Sequence, residues 1–134
     1  MNNTIIPSGF FLIKGNVIDT TNATKVVINS CNFSNNYAVN THHPSDDHNA
    51  NVSWLIGGVG VFAYSKVYIC DSIFSNNAAD SVGALCLLQS DVNISASKFI
   101  HNSAMGYSDG AIYIDSGTVV IQSTVFRYLS LIHI

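Results

Sequence analysis

The amino-acid sequence predicts an all-β fold, a parallel β-helix of about four coils, on three observations. The phrase FSNN stands at Phe33–Asn36 and again at Phe74–Asn77, with a looser FIHN at Phe99–Asn102. A short polar phrase that returns along a chain marks a structural period, whereas a catalytic signature is used once per active site. Sixteen residues before Phe74, Phe99 and Phe126 stand Gly58, Gly83 and Gly110, so the phrase belongs to a longer register. Within that register apolar residues alternate, as at Leu85 and Leu87 or Val92 and Ile94, with the period of two that sends successive side chains to opposite faces of a strand. The Phe-to-Phe spacings are 41, 25 and 27 residues. A unit of about 25 residues holding three short strands is one coil of a parallel β-helix, each strand pairing with its counterpart one coil away at roughly 4.8 Å.

The first copy opens at Gly9–Ile13 (GFFLI) and, after about eight extra residues, runs through Val26 and Ile28 to Phe33 and Asn36. The second begins loosely at Gly58–Phe62 (GVGVF) and passes Val67 and Ile69 to Phe74 and Asn77. The third is Gly83–Leu87 (GALCL), Val92, Ile94, Phe99 and Asn102. The fourth is Gly110–Ile114 (GAIYI), Val119, Ile121 and Phe126, with Leu129 where the register wants Asn. Val, Ile, Phe and Tyr suit a pleated, half-buried surface, and no helical period persists for three turns. Bends such as Gln89–Asp91 and Ser116–Thr118 are built from residues that tolerate left-handed dihedrals.

Equivalent residues of neighbouring coils stack. Phe33, Phe74, Phe99 and Phe126 are therefore expected to form a core column. Asn36, Asn77 and Asn102 are expected to form an amide ladder that satisfies polar groups at a bend. Cys31, Ser72, Ser97 and Thr124 are small residues two positions before each Phe. Residues 1–128 read as a single domain with a loop insertion at about 39–56. The last six residues, LSLIHI, fit by reverse translation a transposon end sequence attached to DNA in library preparation. Residues 129–134 are accordingly read as a non-native tail, and the chain as a fragment, since repeat arrays need capped ends.

G-A-[IL] opening a strand and F-x-x-N closing a rung, at fixed spacing over about Gly9–Tyr128, resemble the repeat region of the polymorphic outer membrane protein family. The resemblance implies a right-handed, pectin-lyase-like β-helix that serves as scaffolding for adhesion or display, and it carries over no catalytic residue. The family's signal peptide and C-terminal membrane barrel have no counterpart here, so secretion and self-anchoring do not follow from this chain.

Composition narrows the function. A hydrophobic share of 48% and mean hydropathy of +0.30 are ample for a core. Charged residues are only 10% and the net charge is -3, which leaves no basic surface for nucleic acid and no polybasic patch for a membrane. With 15 Asn and 17 Ser the surface is solvated by amides and hydroxyls, which suits an extracellular or cell-surface protein at least as well as a cytosolic one. The N-terminal MNNTIIPSGFFLIKG lacks the charged region and apolar run of a signal peptide. Cys31, Cys70 and Cys86 are odd in number and lack CxxC spacing, the pattern of small buried thiols.

Three classes of chemistry bear on the function. His42, His43, Asp46, Asp47 and His48 carry the donor types of a divalent metal site, but their spacing suits a solvated loop better, and no metal or cofactor is expected. Glycoside chemistry needs paired carboxylates or carboxylate-bound calcium beside a basic residue. The stacked slots are instead apolar, Ser or Asn, and Asp80 and Asp109 read as turn residues, so no enzyme is expected. The third class is adhesion. Val61, Cys86 and Tyr113 on the first strand, with Val27, Tyr68, Asn93 and Val120 on the second, are read as outward columns that could meet a host-cell protein or glycan. The expectation is a structural or adhesive segment of a surface-exposed or secreted protein. The alternative is a fragment of a carbohydrate-active lyase or glycosidase-like β-helix.

Overall fold

Alternating β-branched and aromatic residues form strands throughout the computed structural model, which describes residues 11–14, 24–38, 57–79, 82–104 and 110–131. The first set of strands is β1 (Phe11–Lys14), β2 (Thr24–Asn29), β3 (Asn32–Ser34) and β4 (Tyr37–Ala38). The second is β5 (Gly60–Ala63), β6 (Ser65–Cys70), β7 (Ile73–Ser75) and β8 (Ala78–Ala79). The third is β9 (Leu85–Leu88), β10 (Asp91–Ser95), β11 (Lys98–Ile100) and β12 (Ser103–Ala104), and the fourth is β13 (Ile112–Asp115), β14 (Val119–Gln122), β15 (Val125–Arg127) and β16 (Ser130–Leu131). No helix occurs among the described residues.

Each set contributes one strand to each of four four-stranded sheets, ordered β1-β5-β9-β13, β2-β6-β10-β14, β3-β7-β11-β15 and β4-β8-β12-β16. All pairings are parallel, an arrangement consistent with a parallel β-helix. The sequence reading has three strands per copy, and the structure has four. The additional strands have only two residues, which is too short to display a period. Ser130 and Leu131, within the stretch read as a tail, pair with Ser103 and Ala104.

The register brings Phe33, Phe74, Phe99 and Phe126 into one column, with successive ring centroids 5.1, 4.6 and 5.0 Å apart and the rings stacked. Phe74 and Phe99 are fully buried in the main core, together with Phe62, Ile69, Leu85, Leu87 and Ile94. Phe126, at one end of the column, is 40% exposed.

Polar ladders run beside the apolar columns. Asn36 donates from Nδ2 and from its backbone N–H to Asn77 Oδ1 (2.9 and 3.1 Å), and Asn77 donates in the same way to Asn102 Oδ1 (3.0 and 3.1 Å). The second Nδ2 hydrogen of Asn77 reaches the Phe33 carbonyl at 3.0 Å, and Asn102 Nδ2 reaches that of Phe74 at 3.0 Å. A buried amide side chain thus serves donors and acceptors that a bend would otherwise leave bare. Asn77→Ala is expected to lower unfolding stability by about 2 kcal/mol, because it removes the acceptor of the half-buried Asn36 N–H and the donor to the Oδ1 of buried Asn102. A urea titration of the far-UV signal reads the loss.

Two hydroxyl ladders went unrecognised in the sequence. Ser72 Oγ donates to the Cys70 carbonyl (2.8 Å) and accepts the Cys31 N–H (3.2 Å), and Ser97 Oγ stands in the same relation to Ser95 and Ser72. At another bend, Ser65 N–H donates to Ser90 Oγ at 3.2 Å. Recurrence of small residues two positions before each Phe was the available signal for the first ladder. The second column holds hydroxyls at Thr24, Ser65 and Ser90 before Gly117 takes the next position, so its period breaks in the fourth copy.

Left-handed backbone falls in columns at three bends. These are Ser30, Asp71, Ala96 and Ser123; Asn35, Asn76, His101 and Tyr128; and Tyr64, Gln89 and Ser116. Ala96 has φ 46° and lacks a side chain that can support that conformation locally. Ala96→Asn, matching Asn35 and Asn76 at another bend, is expected to raise stability by about 0.5–1 kcal/mol in the same titration.

Candidate functional site

The outer face of the second sheet is the best-defined candidate surface. Val26, Val67, Val92 and Val119, with Ile28, Ile69, Ile94 and Ile121, form two inward columns by strict pairing. The intervening positions Val27, Tyr68, Asn93 and Val120 therefore face outward as a third column. Val27 is 62% exposed, Tyr68 43% and Val120 40%, and Asn93 is exposed as well.

A parallel polar column flanks this one, with Lys25 paired to Lys66 and Lys66 to Asp91. Lys25 Nζ lies 5.3 Å from the centroid of the Tyr68 ring, a cation–π distance. A shallow groove of about 310 Å³ runs between Tyr68, Asp91, Val92, Asn93 and Thr118. Asp91 Oδ1 accepts the Thr118 N–H at 3.3 Å. The groove thus offers an aromatic face, an amide, a hydroxyl and a carboxylate, which are the groups that contact a polar neutral ligand by stacking and hydrogen bonding.

Of the residues read as partner-facing, Tyr68 is exposed and Tyr113 is half-buried. Val61 and Cys86 require correction, because both are fully buried. They form a small second cluster with buried Val82, against which Leu88 and Tyr113 pack. The first sheet is therefore apolar on both faces at these positions, with Phe62 and Leu87 in the main core and Val61 and Cys86 in the second cluster. Alternation identifies two faces but not which of them another segment covers.

His42, His43, Asp46, Asp47 and His48, the insertion at 39–56, and Asp80 and Asp109 lie outside the described residues. Among the described residues, no group of three or more His, Cys, Asp or Glu could hold a metal ion.

All three thiols are free, with Cys31 and Cys70 half-buried. Cys31 Sγ donates to the Asn29 carbonyl at 3.2 Å, and Cys70 Sγ to Asp71 Oδ2 at 3.3 Å. Burial, aided by the negative charge of Asp115, pushes the Cys86 thiol up from an ordinary 9.0 to about 12. A raised value in the folded state means that the unfolded chain loses this proton first as pH rises. Stability is therefore expected to fall above about pH 9, by about 1.4 kcal/mol per pH unit for one proton, until the folded thiol ionises near 12. Urea titrations of the wild type and Cys86→Ala from neutral to alkaline pH isolate the effect, which the variant lacks.

Comparison of this chain with family models, with curated proteins and with solved structures returns no match.

Proposed function

We propose that the chain is a segment of a right-handed, pectin-lyase-like parallel β-helix, acting as a structural and adhesive part of a surface-exposed or secreted protein and performing no catalysis. Its counterparts would be the repeats of the polymorphic outer membrane protein family, on the residues G-A-[IL] and F-x-x-N. Right-handed crossovers are the rule between parallel strands, which supports the assigned hand. The four strand sets correspond to four coils.

The exposed column Val27–Tyr68–Asn93–Val120 beside the groove is the single observation that carries the adhesive reading. The interior columns and ladders are occupied in holding one set of strands to the next, whereas this outer column is left to meet a partner. The partner class is a neutral glycan or a protein surface on another cell, since Tyr68, Asn93 and Thr118 supply stacking and hydrogen bonding and little net charge.

The test is binding of the purified chain to an immobilised panel of cell-surface and plant and microbial glycans and to intact cells. Retention that Tyr68→Ala and Asn93→Ala abolish, with circular dichroism unchanged, supports adhesion through this face. Retention that both variants leave intact, or no retention on any support, overturns it. The same polysaccharides incubated in solution are expected to release no new reducing ends or unsaturated products. Their release would instead identify a carbohydrate-active β-helix.

A further inference from the structure

The groove on the outer face of the second sheet is lined by one anion, Asp91, and by no cation. Asp91 spends Oδ1 on the Thr118 N–H, and its Oδ2 has no hydrogen bond or ion pair among the described residues. Lys66 stands beside Asp91 in the register, yet no ion pair joins them. Strand order puts Lys25 one strand before Tyr68, and Asp91, Asn93 and Thr118 one or two strands after it, so the Lys25 ammonium and the groove meet the tyrosine from opposite sides. The ladder amides Asn36, Asn77 and Asn102 are all engaged, whereas the exposed Asn93 amide has no hydrogen-bond partner among the described residues.

We propose that this groove seats an arginine side chain presented by a partner protein, an inference that rests on the adhesive reading of the face and selects a protein over a glycan as the partner. Tyr68 and Asn93 are register partners on adjacent strands, and Asp91 lies two residues before Asn93 on the same face, so the three side chains surround one space. A guanidinium is planar and always charged, stacks on aromatic faces and donates from a rigid fork. Laid on the groove side of Tyr68, it directs its N–H groups to Asp91 Oδ2 and the Asn93 side-chain carbonyl, the two acceptors left without a partner. A neutral sugar would leave the carboxylate without a counter-ion. Exposed Val27 and Val120, before and after Tyr68 and Asn93 in the same column, add aliphatic surface that suits a protein partner and offers nothing to sugar hydroxyls. The net charge of -3 favours the approach of a basic surface.

Titration of the blocked tripeptide acetyl-Gly-Arg-Gly-amide into the nitrogen-labelled 134-residue chain is expected to shift the amide resonances of Tyr68, Asp91, Asn93 and Thr118 saturably. The same peptide with citrulline in place of arginine keeps the shape and loses the charge, and is expected to bind at least about ten-fold more weakly. Asp91→Asn retains an oxygen for the Thr118 N–H and removes only the charge, so it is expected to abolish that preference with the far-UV spectrum retained. Lys98→Gln, on the third sheet, leaves the preference unchanged. An equal response to arginine and citrulline, shifts confined to other faces, or no saturable shift overturns the pocket. Cell retention that Tyr68→Ala and Asn93→Ala abolish but Asp91→Asn leaves intact also overturns the arginine, while sparing the adhesive face. Saturable, arginine-selective binding by a chain that no cell retains supports the pocket and counts against adhesion alone.

Discussion

Phe74→Ala is expected to lower unfolding stability by about 4 kcal/mol, more than truncation of the half-buried Phe33 or the exposed Phe126 in the same column. The ring is fully buried, lies parallel to that of Phe99 at 4.6 Å, and meets Phe33 on its other side at 5.1 Å. Truncation removes the ring's transfer free energy, leaves a cavity between the two rings stacked on its faces, and forfeits two stacking contacts. Neighbouring sets are held by strand pairing at a fixed spacing, so they cannot collapse to fill the space. Phe126 provides the internal comparison. It is 40% exposed and, among the described residues, stacks on Phe99 alone, so Phe126→Ala is expected to cost about 1–2 kcal/mol. Urea titrations of both variants read the difference, and equal losses would show that the column does not hold the inner sets together.

Gly83→Ala is expected to cost about 3 kcal/mol, for a reason unrelated to glycine's flexibility. A Cβ on Gly83 would fall on the carbonyl oxygen of Gly110 in the next strand set and 2.7 Å from the amide nitrogen of Ser103 in its own, both backbone atoms. No side-chain rotation relieves such contacts, so the spacing between sets must widen, and the ladder bonds around Asn102 lengthen with it. Gly58 is in the same position, since its Cβ would meet the carbonyl oxygen of Gly83. Gly110 differs. Its Cβ would lie 3.2 Å from the Ser130 carbonyl oxygen and 3.3 Å from Leu129 Cβ, contacts that a shift of a few tenths of an ångström relieves. Gly110→Ala is accordingly expected to cost under about 1 kcal/mol. Thermal or urea unfolding of the two variants checks the contrast, and a Gly110 loss equal to that at Gly83 would refute a purely steric account.

The glycine register was thus legible as a spacing before its cause was. Sixteen residues from Gly83 to Phe99 and from Gly110 to Phe126 mark a recurring position, and the structure supplies the reason, which is backbone contact between one glycine and the next. The Ser72 and Ser97 positions were legible as small residues but not as hydroxyl donors and acceptors. Composition reports size and polarity without reporting partners, and the partner of Ser97 is the N–H of a residue 25 positions away.

The sequence by itself determined the strand period, the register of the copies, and the Phe and Asn columns. It could do so because in a stack of parallel strands each residue's neighbour is its own equivalent in the next copy, so a repeat in the chain is also a contact in space. Tertiary structure alone decided what depends on departures from the period. It placed Val61 and Cys86 in a second apolar cluster with Val82 instead of on the surface, and it left Tyr68 outside with Lys25 across its ring. It also buried Ile28 while leaving Ile121 41% exposed. Alternation states that a strand has two faces and two edges, and which of them is covered depends on segments that the repeat does not describe.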